Sequence, residues 1–153
     1  MTETERRTPA ELLRRWLCLA VGLAIMALGV AFSIKAGLGT SPISSTPYVI
    51  SLFAPLTVGQ ITILMHCVFI ALQILLLRRR YQPVQLLQLP VALIFGVLTD
   101  GAVWLLSGLH PSAYWQQWIL CVIGIALVAF GVSLEVTAKV VTLAGEGLVL
   151  AVC

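Results

Sequence analysis

Trp16-Leu-Cys-Leu-Ala-Val-Gly-Leu-Ala-Ile-Met-Ala-Leu-Gly-Val-Ala-Phe-Ser-Ile34 runs for 19 residues without a charge. That length approaches the ~20 apolar residues a helix needs to cross a bilayer and exceeds the ~7–15 of a signal-peptide core. Gly22, Ala24, Ala27, Gly29 and Ala31 keep it slim, which suits close helix packing in lipid. Arg14 and Arg15 precede it and Lys35 closes it, the arrangement of a retained first span with charged flanks.

The rest of the chain follows the same logic. Of its residues 60% are hydrophobic and 10% charged, against ~25% charged in soluble domains. Seven of the nine Lys and Arg residues fall in two clusters, Arg6, Arg7, Arg14 and Arg15, then Arg78, Arg79 and Arg80. Basic clusters at the ends of apolar runs mark membrane flanks, so the net charge of +3 does not point to a nucleic acid partner. Cys18, Cys67, Cys121 and Cys153 each lie in an apolar run and read as small hydrophobes, without a disulfide framework. The expected partner is the lipid bilayer.

After Lys35 comes Ala36-Gly-Leu-Gly-Thr-Ser-Pro42, a glycine-rich break with a proline. Ile43–Ala54 is apolar but has only 12 residues, too few to span alone. Ile61–Leu77, Val84–Leu106 and a run from Tyr114 to Val136 are the further spans, with Gly108–Ser112 as a tight loop and Thr137–Gly147 as a second glycine-containing break. The expected fold is all-α: a polytopic bundle of about four full spans plus half-helices. Residues 1–13 read as a cytoplasmic tail, 14–110 as a first membrane repeat and 111–153 as the start of a second, incomplete one. If both basic clusters are cytoplasmic, an even number of crossings separates them, and Ile43–Ala54 is a half-depth helix. The rival reading has this segment cross at a tilt, which places Arg78–Arg80 outside.

Shifting the chain by 102 residues lays Gly22-Leu-Ala-Ile-Met-Ala-Leu-Gly-Val30 on Gly124-Ile-Ala-Leu-Val-Ala-Phe-Gly-Val132, with Trp16 on Trp118, Ala36 on Ala138 and Thr40 on Thr142. Under the topology above, the two copies run in opposite directions. Inverted repeats with interrupted helices mark secondary transporters, whose sites sit at the breaks. Gly37, Gly39, Thr40 and Ser41 in the first break, Ser44 just after it, and Thr142 and Glu146 in the second, are therefore the candidate substrate or ion ligands.

Asp100, within Leu98-Thr-Asp-Gly101, joins them. A carboxylate inside a span costs ~2.5–3.5 kcal/mol on insertion scales and calls for a partner or a wet cavity. It reads either as a proton or cation site, or as a hydrogen-bond acceptor for a neighbouring helix near the outer interface. His66 and Glu135 are secondary candidates: His66 as a relay or a buried hydrogen-bonded ring, Glu135 as a site group or as the i,i+4 partner of Lys139. No nucleophile–base pair, metal cluster, phosphate loop or nucleotide fingerprint stands in the sequence, so neither enzyme chemistry nor a cofactor or metal is expected.

The Arg14-Arg15 pair before a glycine-rich span, Ala36–Pro42, and Thr57-Val-Gly-Gln60 opening the next helix resemble the YczE/YitT-type (YczE/YyaS/YitT) bacterial membrane proteins, from about Arg14 to Cys153. The resemblance implies a multi-pass protein of the bacterial inner membrane, for which transport is the role usually inferred. It also implies an acidic position at Asp100 and a glycine–acid motif at Ala144-Gly-Glu-Gly-Leu148. Members usually run past 200 residues, so a longer second half is expected. Where the family often has Trp-Asp after the proline, this chain has Ile43-Ser44. The functional expectation is a permease for a small solute or ion, proton-coupled if Asp100 titrates. The alternative is a membrane scaffold that homo-oligomerises through the Gly/Ala faces of the first and fourth spans.

Overall fold

The computed structural model describes residues 9–77 and 87–138. Five helices follow one another: α1 (Pro9–Ala36), α2 (Pro42–Phe53), α3 (Val58–Leu77), α4 (Gln88–Leu105) and α5 (Tyr114–Ala138). All but α2 are long and apolar enough to cross a membrane, as the sequence led one to expect of this polytopic bundle. The helices exceed or trim the apolar runs only at their ends. α1 extends back to Pro9 and carries Glu11 in its first turn and Lys35 in its last, both complementary to the helix dipole.

α1 is the organising element. Over its apolar window 56% of residues are buried, against 17% for α5. Leu19, Leu23, Met26, Ala27, Val30 and Ile34 of α1 form one core with Val91 and Phe95 of α4. Ala31 packs with Ala102 of α4 and with Leu106 just past its end in a second cluster. The outer faces carry Leu75, Val97, Trp104, Trp118, Val122 and Phe130 in the open. In water this apolar surface would drive aggregation; in a bilayer it is the side that meets lipid.

α1 and α5 pack antiparallel through glycines. A Cβ built on Gly22 would lie 3.0 Å from the Gly131 carbonyl oxygen, and one on Gly29 would lie 2.8 Å from the Gly124 carbonyl oxygen. Only residues without a side chain let two helix backbones approach so closely, and in lipid that contact replaces the missing hydrophobic drive. All four glycines are thus consumed within one chain.

The C-terminal end of α1, the N-terminal end of α3 and the C-terminal end of α4 lie together. The contacts of Ala31 with Ala102 and of Gly59 with Gly96 and Asp100 fix this. The connection from α1 to α3 therefore leaves from and returns to one end of the bundle. α2, with 12 residues, is ~18 Å long, short of the ~30 Å hydrocarbon core. It does not cross. Ser41 caps it, accepting from the Ser44 amide at 3.3 Å, and Pro42 occupies the first turn where a missing N–H costs nothing.

The break before α2 turns on Gly37 (φ 68°) and Gly39 (φ 120°). A Cβ on either would meet nothing within 4 Å, so backbone strain alone decides the effect of substitution. Gly37 sits in the left-handed region that Asn tolerates; Gly39 lies outside it. Gly37→Asn is expected to leave the thermal unfolding midpoint near that of the parent, whereas Gly39→Ala should cost about 1–3 kcal/mol. Equal midpoints for the two variants would contradict the backbone described.

Candidate functional site

All five helices contribute to one cavity of about 230 Å³. α1 supplies Met26 and Val30, and α5 supplies Val128 and Val132. Ser41 and the start of α2 supply Ser41, Ile43, Ser44 and Pro47. α3 lines it with Val58, Thr62, Met65 and His66, and α4 with Phe95 and Thr99. His66 is eight residues beyond Val58 on α3, so the cavity reaches ~12 Å along that helix from its first residue. It lies where α2 sits over the junction of the spanning helices, and part of its wall is the α1–α5 seam.

The polar groups in this wall are held by their own helices. Thr62 Oγ1 donates to the Val58 carbonyl at 2.7 Å, and Thr99 Oγ1 to the Phe95 carbonyl at 2.8 Å. His66 is 2% exposed. Its Nδ1 lies 2.8 Å from the Thr62 carbonyl; a carbonyl only accepts, so Nδ1 carries the hydrogen and Nε2 is left with a lone pair. The ring stands tilted between Phe69 and Phe95, with centroids 6.2 and 6.3 Å away. Nearer the α2 end, Ser41 Oγ and Ser44 Oγ are 3.1 Å apart.

Asp100 is elsewhere. Its Oδ1 accepts from the Gly59 amide at 2.7 Å and its Oδ2 from the Thr57 hydroxyl at 2.6 Å. Thr57 and Gln60 form a reciprocal cap: the Gln60 amide donates to Thr57 Oγ1 at 3.2 Å and the Thr57 amide to Gln60 Oε1 at 3.1 Å. Asp100 completes this cap from the neighbouring helix. Four groups at the start of α3 that would otherwise be orphaned find partners, and a carboxylate sits at the positive end of a helix dipole. The approach is close because Gly59 and Gly96 have no side chains: a Cβ on Gly59 would strike the Gly96 carbonyl oxygen and lie 2.6 Å from the Asp100 carboxyl carbon.

The other expected ligands divide four ways. Ser41, Ser44 and His66 line the cavity. Gly37 and Gly39 are exposed in the turn, and Thr40 beside them has its hydroxyl oxygen buried without a partner among the described residues. Glu135 is fully buried in the α1–α5 seam, its amide 3.4 Å from a Cβ on Gly22, and is not part of the lining. Thr142, Glu146 and Lys139 lie outside the described residues. Thr62, Met65, Phe95 and Thr99 had not been singled out. Thr62 and Thr99 carry a weak signal, as hydroxyl residues inside otherwise apolar spans.

A model of a family of unknown function, DUF6198, matches residues 13–153. The chain belongs to this family. The uncharacterized protein YyaS of Bacillus subtilis (strain 168) is 27% identical over 128 residues, covering 82% of this chain and 61% of YyaS. The chain thus spans 61% of the length of the curated relative it matches. That relative agrees with the resemblance drawn from Ala36–Pro42 and Thr57–Gln60. No solved structure matches the chain. Neither description states an activity, so a functional reading rests on the cavity.

Proposed function

We propose that this membrane protein is a secondary transporter, or a half of one, whose solute site is the cavity beneath α2. The observation that carries this reading is the lining: one pocket at the junction of spanning helices, walled in part by both α1 and α5. Pockets of this kind between packed helices are the ordinary place for a small ligand. No catalytic role is assigned to it.

The contacts of α1 with α5 support an inverted repeat. Under the 102-residue shift, Gly22 corresponds to Gly124 and Gly29 to Gly131. Gly22 meets Gly131, and Gly29 meets Gly124. Met26 meets Gly131, and its counterpart Val128 meets Gly29. Ser33 meets Gly124, and its counterpart Glu135 meets Gly22. Any antiparallel pair of helices brings residues together in this exchanged order; what favours a repeat is that one shift places glycine at all four positions of close approach. In transporters the axis relating such repeats lies in the membrane plane and the site sits near it. On the same reading the Arg14 end is cytoplasmic, in a bacterial inner membrane.

Alternating access makes a prediction that needs no known solute. With Cys18, Cys67, Cys121 and Cys153 replaced, single cysteines at Met65 and Thr99 are expected to react with a membrane-impermeant maleimide from either side of sealed vesicles. Reaction from one side only would remove the transporter reading and favour a static scaffold.

A further inference from the structure

The cavity also specifies the chemistry of what enters it; this rests on its reading as the solute site. We infer that it selects a compact, uncharged, largely apolar solute that presents hydrogen-bond donors, such as a small aromatic N–H or O–H compound.

Three observations lead there. The volume, about 230 Å³, lies below the ~300–1,000 Å³ of sites for drug-sized molecules. Among the described residues the lining has no Asp, Glu, Lys or Arg. Asp100 is engaged at the start of α3 and Glu135 packs in the α1–α5 seam. Among these residues an ion would meet no opposite charge, which at membrane depth is the costly case.

The third observation is the sense of the hydrogen bonding. The deep polar groups are Thr62, His66 and Thr99, and each has spent its hydrogen on a backbone carbonyl: Val58, Thr62 and Phe95 respectively. What they turn to a solute is lone pairs, two on each hydroxyl oxygen less any used, and one on His66 Nε2. At this deep end a carboxylate or phosphate would face acceptor against acceptor; the Ser44 hydroxyl, which accepts from Ser41 at the α2 end, keeps a hydrogen to give. An N–H or O–H group finds several acceptors within an otherwise apolar wall, and the Phe95 ring offers a face for stacking.

The test uses the full chain in nanodiscs and equilibrium dialysis with radiolabelled indole and phenol, subtracting empty nanodiscs. Competitors are 1-methylindole, which lacks the N–H, the anion indole-3-carboxylate and the cation tryptamine. Saturable binding of indole or phenol is expected, with the two charged analogues at least about tenfold weaker and 1-methylindole about threefold to tenfold weaker than indole, the range for losing one hydrogen bond. Thr99→Val, which keeps the shape and removes the acceptor, should weaken indole by a similar factor and leave 1-methylindole unchanged. The proposal is overturned if neither indole nor phenol binds saturably, if a charged analogue matches indole, or if Thr99→Val affects indole and 1-methylindole alike. Binding with one-sided cysteine labelling would sink the transporter reading and leave this inference standing. Two-sided labelling with a preference for charged analogues would do the reverse.

Discussion

Gly29→Leu is expected to abolish recovery of a monodisperse folded protein in mild detergent, while Gly101→Leu leaves yield and thermal midpoint close to the parent. Both glycines are inside spanning helices, and in both places leucine is the better helix former, by somewhat less than the ~0.8–1.0 kcal/mol that separates glycine from alanine. The difference is what each Cβ meets. At Gly101 there is nothing within 4 Å. At Gly29 a Cβ would lie 2.7 Å from the Val128 amide nitrogen and 2.8 Å from the Gly124 carbonyl oxygen, well inside the ~3.5–4.0 Å of favourable carbon contacts. Those are backbone atoms, and a helix backbone cannot rotate out of the way as a side chain can.

Even Gly29→Ala should therefore destabilise, by about 1–3 kcal/mol for overpacking less the propensity gain, and the branched tail of leucine has no space at all. The reciprocal change Gly124→Leu is expected to do the same, because a Cβ there lies 2.9 Å from the Gly29 carbonyl oxygen and 2.5 Å from Ser33 Oγ. Heating the purified variants and measuring the surviving monodisperse fraction by size exclusion reads the effect. Equal survival of Gly29→Leu and Gly101→Leu would refute the α1–α5 packing.

The small faces of the first and fourth spans were legible in the sequence because they depend on residue identity alone; that they pack on each other was not read from it. Glycines spaced seven apart on two segments, in one register, announce faces suited to close packing, without naming the partner. The spans were legible for a similar reason: bilayer thickness sets a length, and a length can be counted. Which face of a span turns inward is a different matter. α3 and α4 are apolar all round, so no hydrophobic stripe marks the side that packs. Thr62, Thr99 and Phe95 therefore gave no sign that they converge. His66 stood out as an ionisable group in a span, but not where it pointed.

The break at Ala36–Pro42 was read correctly as a break. Its glycines shape the turn, and Ser41 and Ser44 alone reach the cavity. The cap of α3 was readable in principle, since Thr57-x-x-Gln60 is a capping-box pattern. That Asp100, more than forty residues on, finishes that cap could not be read, because nothing local links the two.

Asp100→Leu, on this geometry, is expected to be among the most destabilising single changes in the protein, and Asp100→Asn a mild one. The carboxylate satisfies the Gly59 amide and the Thr57 hydroxyl, at 2.7 and 2.6 Å. Leucine leaves a buried donor at the head of α3 without an acceptor, at about 1–3 kcal/mol for an unmade bond and more where the acceptor was charged. It also forces a branched side chain against Gly59, where the packing has no slack. Asparagine keeps one carbonyl oxygen of the same reach and loses the charge that favours a helix N-terminus, worth ~0.3–1 kcal/mol.

The same pair of variants separates a cap from a proton carrier. If Asp100 holds α3, stability falls in the order parent, Asp100→Asn, Asp100→Leu, and a solute flux follows stability. If it carries the coupling proton, Asp100→Asn retains its thermal midpoint and loses concentrative uptake driven by a pH gradient. Proteoliposome flux with and without that gradient, set beside thermal midpoints of the same preparations, decides between them. We expect Asp100→Asn to remain active, because two donors already occupy both oxygens and the carboxylate is directed at the helix it caps, away from the cavity.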